Sequence, residues 1–266
     1  MSKLLPILLL IAGLVITVFL VLQQTKLFSK AGISDIPKGV KISNISDNSF
    51  TVSWVTEEAV PGFVVFGQAE SLDKTALDDR DSGGRNSRLT HHITLKDLTP
   101  TTVYSFKIGS GAKVYDNKGK LYTQTTAPVV SDTPPLPESL LGKVETADNK
   151  VPAEALVYVN MERSTVLSSF IREDGNFLLT LNNARIIDLS SYVTLIDSKK
   201  INLTAQAGAA GTVSKELLFS DHFVSQTLTL QQVKEAQIAS WPADLNNDGV
   251  INAIDFAFYI KSKLGL

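Results

Sequence analysis

Near the C-terminus the chain reads Ala243-Asp244-Leu245-Asn246-Asn247-Asp248-Gly249-Val250-Ile251-Asn252-Ala253-Ile254-Asp255. Calcium is a hard cation that takes about six to eight oxygens on a short loop. Asp244, Asn246 and Asp248 alternate, so three side-chain oxygens can converge on one ion. Gly249 allows the sharp bend around the metal, after which the Val250 carbonyl faces inward and Ile251 points away to dock on apolar surface. Asn252 sits where a water is often recruited, and Asp255 closes the site from the first turn of an expected helix, Phe256 to about Leu264. The predicted ligand set for Ca2+ is therefore Asp244, Asn246, Asp248, Val250, Asn252 and Asp255. An Asx-rich turn opening an ordinary helix is the competing reading, and it leaves the register of these positions unexplained.

Other chemistry is hard to find. The 266 residues contain no cysteine, which excludes disulfides, thiolate metal sites and cysteine nucleophiles. No Gly-x-Ser-x-Gly elbow, P-loop, dinucleotide fingerprint or His-Glu-x-x-His occurs, and only three histidines are available. A formal charge of −2 with scattered Lys and Arg argues against nucleic acid as a partner. His91 and His92 are adjacent; they read as a strand edge with one ring packed and one solvated, not as a metal site.

The elements that must position the loop begin at the membrane. Leu4 to Leu22 is an uncharged run of apolar and small residues, long enough at about 1.5 Å per residue to cross most or all of a bilayer core. Residues 1–31 are expected to be a retained membrane anchor and stalk, with the bulk of the chain extracytoplasmic. Ser29-Lys30-Ala31 has the small-x-small pattern of a cleavage site, so a cleaved signal is the alternative.

Between anchor and loop the pattern is mainly β: two small antiparallel β-sandwiches in tandem are expected. In residues 36–127, Phe50, Val52 and Trp54 share one face, and Phe63–Phe66, His92–Leu95 and Val103–Ile108 continue the alternation. Residues 128–137 hold Pro128, Pro134, Pro135 and Pro137, the composition of an extended linker. In residues 138–232, Leu140–Val144, Ala155–Val159, Ser168–Ile171 and Phe177–Leu181 are expected strands, with a turn at Asp174-Gly175-Asn176. Ala205 to Gly211 is a small-residue loop without an evident partner.

Three resemblances follow from these residues. Ser49–Trp54 with Leu98-Thr99-Pro100-Thr101-Thr102-Val103-Tyr104 resembles a fibronectin type III domain, which implies a core Trp54 and a Tyr104 hydroxyl capping a backbone group. Val65-Phe66-Gly67 and His91–Leu95 narrow this to the N-terminal domain of purple acid phosphatases; the Asp-x-His, Gly-Asp and Gly-Asn-His motifs of the phosphatase domain itself are absent. Gly142-Lys143-Val144, Ala155–Val159 and Asp174–Phe177 are similar to the carboxypeptidase regulatory-like family, which implies an accessory sandwich without an active site. Residues 240–266 resemble one repeat of a type I dockerin, a calcium module that binds cohesin when two repeats are present; one occurs here.

The resulting expectation is a membrane-anchored extracytoplasmic scaffold or adhesion protein with a calcium-binding C-terminus, and not an enzyme. The alternative is a carbohydrate- or protein-binding accessory module working with a separate enzyme. An exposed aromatic platform built from Phe63, Phe66, Tyr115 and Tyr122 would favour the alternative. Asn44-Ile45-Ser46 and Asn202-Leu203-Thr204 are glycosylation sequons.

Overall fold

A computed structural model describes residues 35–131 and 135–231. Among them no α-helix occurs, and no helix is long and apolar enough to cross a membrane. The Leu4–Leu22 run, the six predicted calcium ligands and the helix expected after them lie outside the described residues.

The first sandwich contains β1 (Lys38–Ser43), β2 (Phe50–Gln68), β3 (Lys74–Leu77), β4 (Ser87–Leu95), β5 (Val103–Ser110), β6 (Lys113–Tyr115) and β7 (Tyr122–Thr125). Phe50–Trp54 and Phe63–Phe66, which read as separate strands, belong to one 19-residue strand. Its first half pairs with β1 and β4, and its second half with β3 and β5. The register on β4 jumps between Val55 and Val60, a bulge that lets β2 turn the corner from one sheet to the other.

Phe50, Val52, Trp54, Ile93, Leu95, Tyr104, Phe106 and Ile108 interdigitate as the core, with Trp54 fully enclosed. The Tyr104 hydroxyl accepts the Thr99 amide at 2.9 Å, the expected tyrosine corner. Gly62 is required by close approach: a Cβ there would fall 2.1 Å from His91 Nδ1.

The second sandwich contains β8 (Ser139–Glu145), β9 (Leu156–Met161), β10 (Leu167–Phe170), β11 (Asn176–Thr180), β12 (Lys200–Gln206), β13 (Thr212–Leu218) and β14 (Gln226–Thr229). One sheet runs β10-β9-β12-β13 and the other β11-β8-β14. The expectation of purely antiparallel pairing fails at β14, which lies parallel to β8 because the chain crosses between sheets through a short turn at Phe219–Asp221. The core is aliphatic, from Leu140, Val157, Val159, Leu179, Ile201 and Leu203 among others, with Phe177 its one fully enclosed phenylalanine besides Phe219 at the margin. The Asp174-Gly175-Asn176 turn is present, with Gly175 at φ +82° and the Asp174 carboxylate accepting the Asn176 amide.

Candidate functional site

With the loop predicted to bind calcium outside the described residues, the densest polar chemistry described lies where the two sandwiches meet. Strands β1, β2 and β4 carry alternating residues to opposite faces. One face fills the first core; the other presents Ser43, Thr51, Ser53, Thr90 and His92 toward the second sandwich, with Thr94 beside them bonded to Thr51 and Asp79. Val55, Leu156 and Tyr158 form a small apolar cluster there, with Val166 and Phe170 against it. The small-residue loop also finds its partner here: the turn at Gly208–Ala210 packs on β2, where a Cβ on Gly208 would lie 3.7 Å from the Thr56 carbonyl.

Two free strand edges are closed at this junction. The β10 edge is taken by Asn44, which sits at φ +51°: its amide donates to the Val166 carbonyl at 2.9 Å, its Oδ1 accepts the Ser168 amide at 2.9 Å, and its Nδ2 donates to the Ser168 carbonyl at 3.0 Å. One asparagine thus supplies the hydrogen bonds of a short additional strand. The β4 edge is closed by three carboxylates. Glu154 accepts the Leu89 and Thr90 amides at 2.9 and 2.8 Å, Asp78 the His92 amide at 3.0 Å, and Asp79 the Thr94 amide at 3.1 Å.

The expectation for the histidine pair needs correction, because both rings are buried. His91 points into the core and stacks on Trp54 at a centroid distance of 4.7 Å, with neither ring nitrogen hydrogen-bonded. Burial pushes it down to about 4, partly opposed by the Asp78 charge. His92 points to the junction instead. A second sandwich covers the face that the alternation pattern assigns to solvent.

His92 lies in a relay with the connectivity of a hydrolase triad. Asp79 Oδ2 is 2.7 Å from His92 Nδ1, and His92 Nε2 is 2.9 Å from Ser168 Oγ. A carboxylate only accepts, so Nδ1 donates, and Nε2 is left to accept from the Ser168 hydroxyl. Ser168 Oγ also meets Ser43 Oγ at 2.6 Å and Asn44 Nδ2 at 3.1 Å. One donated and two accepted bonds use the full capacity of a hydroxyl. A nucleophile needs a lone pair directed at a substrate and donors for the resulting oxyanion, whereas Ser168 is buried with its bonding filled by three side chains of the first sandwich. The relay is therefore a clasp between modules.

Burial raises the Asp79 carboxyl, but the His92 and Thr94 bonds outweigh it and leave its pKa below the ordinary value. Asp78 behaves likewise: burial is outweighed by the Arg80 side chain and by the His92 and Arg80 amides. Elsewhere at the junction the Ser53 and Tyr158 hydroxyls meet at 3.0 Å, and burial pushes Tyr158 up to about 12. The Lys41 ammonium lies 3.9 Å above the Tyr158 ring centroid and the Arg80 guanidinium 5.0 Å above that of Phe170.

The aromatic residues that would form a sugar platform are otherwise engaged. Phe66 is in the core, Phe63 lies under the Arg85 guanidinium at 4.0 Å, Tyr122 stacks on Phe106, and the Tyr115 hydroxyl donates to Asp35 at 2.8 Å. Of the sequons, Asn44 has its amide committed to Ser168, while Asn202 is exposed on β12.

These features define a fibronectin type III-like β-sandwich module packed on a second sandwich. Residues 37–126 match the family described as the purple acid phosphatase N-terminal domain, which is separate from any catalytic domain. Solved structures to which the chain is similar include the chicken CNTN1 FN1–FN3 domains, at 10% identity over 68% of this chain and 64% of that one with a TM-score of 0.25. A two-domain fibronectin type III segment of chicken tenascin gives 11% identity over 68% and 98% with a TM-score of 0.22. PhoD matches at 14% identity over 41% of this chain and 22% of its own, with a TM-score of 0.27. The chain therefore spans about a fifth of that structure.

Proposed function

We propose that the chain is a membrane-anchored extracytoplasmic scaffold or adhesion protein in which two sandwiches act as one rigid body, followed by a calcium-binding, dockerin-like segment. The second sandwich is read as carboxypeptidase regulatory-like, and Asp244, Asn246, Asp248, Val250, Asn252 and Asp255 as the calcium ligands. The observation that carries the reading is the polar clasp at the junction. A flexible tether between binding modules has no need to close two strand edges and fill a buried hydroxyl across it, whereas a spacer that holds a fixed geometry does. The fibronectin type III-like character of the first module, which brings no catalytic residues, points the same way.

The absence of cysteine makes the test clean. Val114 on β6 and Leu218 on β13 are exposed and belong to different sandwiches. Spin labels on V114C and L218C in the full chain should give one narrow distance distribution by pulsed electron resonance. A broad distribution sinks the rigid-spacer reading. Calcium is tested separately, by titrating the chelator-treated chain while following Trp241 fluorescence; no response at millimolar calcium removes that part alone.

A further inference from the structure

A cleft of about 430 Å³ opens at the junction beside the clasp. Asn44, Ser46 and Asp47 wall it from the first sandwich, and Ser169, Arg185 and Tyr192 from the second. Arg185 is 3% exposed, and its Nε and Nη1 have no hydrogen-bond partner among the described residues. Its backbone is fixed by bonds to Thr165, and the Tyr192 ring flanks the guanidinium at 4.0 Å. No carboxylate among the described residues forms an ion pair with it, Asp47 in the same cleft included.

An arginine carries its charge at every physiological pH, and a buried charge without a counterion is strongly unfavourable. An anionic ligand seated beside the guanidinium would offset that cost. A guanidinium matches a planar pair of oxygens through two parallel bonds, and for Arg185 the edge that offers its unpartnered Nε does so together with Nη2. The surrounding wall supplies hydroxyls and side-chain amides, which suit a polyhydroxylated ligand. A peptide is disfavoured as occupant because Asn44 already takes the β10 edge on which an extended chain would pair.

We propose that this cleft binds the carboxylate of an acidic sugar, with Arg185 as its ion-pairing residue and the two sandwiches as its two walls. The site does not depend on the anchor or on calcium, but it rests on the rigid-spacer reading, because each sandwich forms one wall; the spin-label distances test that reading separately from the sugar.

The experiment is calorimetric titration of the full chain in detergent micelles with tetragalacturonate. Binding is expected, with no binding of the neutral tetragalactose. Arg185→Gln should weaken the affinity at least tenfold, and Arg185→Lys, which keeps the charge but not the fork, several-fold. Asp47→Asn removes a like charge from the cleft without touching the core and should tighten binding several-fold, so the placement stays testable if Arg185→Gln fails to fold. No binding, or an affinity indifferent to both Arg185→Gln and Asp47→Asn, overturns the proposal. Equal binding of tetraglutamate or of inorganic phosphate overturns the sugar assignment and points to a peptide or to a general anion site.

Discussion

The two faces of β4 differ in how they accommodate neighbouring histidines. Inward, His91, Ile93 and Leu95 sit in an aromatic core, where the imidazole is held by stacking and shape with no hydrogen bond. Outward, Thr90 and His92 meet a second module and Thr94 meets Asp79 of their own, and the side chain of each finds a polar partner. The same strand thus uses packing on one side and hydrogen-bond matching on the other. The inward face should fail through volume and protonation, the outward face through loss of individual partners.

The largest effect should come from filling the inward face. Gly62→Ala places a Cβ 2.1 Å from His91 Nδ1, against a stacked ring that has nowhere to go. Such overpacking should destabilise the first sandwich by about 3 kcal/mol, read as a drop in denaturant midpoint.

Protonation of the same face comes next. Unfolded His91 titrates near 6.5 and the folded ring near about 4, so between those values only the unfolded chain binds the proton. The contribution is complete above pH 6.5 and is lost as the pH falls toward 4. Each pH step of one between those limits is worth about 1.4 kcal/mol, for a total of roughly 3 kcal/mol. His91→Phe, which keeps the stack and cannot titrate, should flatten that part of the stability profile. An unchanged slope would assign the acid sensitivity to other groups.

On the outward face, Glu154→Ala leaves the Leu89 and Thr90 amides and the Thr90 hydroxyl without their acceptor. The cost should be about 2 kcal/mol, with faster hydrogen exchange at those two amides as its local signature. If exchange there is unaffected, the carboxylate does not close the β4 edge in solution. The smallest effect is expected at Tyr158→Phe, which removes one hydroxyl bonded to Ser53 and should cost about 1 kcal/mol. It should also abolish the phenol that burial holds at about 12, visible in an alkaline ultraviolet titration.

The strands were legible because their inward residues are large and regularly spaced: Phe50, Val52 and Trp54, or Leu140 and Val144, leave few alternatives. The tyrosine corner was legible for a different reason, since it depends on a short local sequence. The junction was not. Its residues are Ser, Thr and His, which alternate with core residues as a solvated face would, and a period of two cannot distinguish water from a polar partner. The signal on β2 and β4 was weak: Thr51, Ser53, Thr90, His92 and Thr94 include no lysine or glutamate, but Lys41 on β1 shares the junction with them. The β2 corner escaped because Glu57 to Pro61 carries turn-like residues inside a continuous strand. Arg185 lies among short bridges and turns, where no periodicity points to burial.

The asparagine that closes β10 has a mechanical consequence. Tension entering the described residues at β1 has two routes to the second sandwich. One passes through the whole first sandwich and the proline-rich segment. The other leaves at Ser43 and Asn44 and crosses directly to Val166 and Ser168. The second is far shorter and runs through several hydrogen bonds, so a pull on β1 reaches β10 without passing along the connecting segment. On the rigid-spacer proposal Asn44 is a rivet there, and the two sandwiches bear load as one beam.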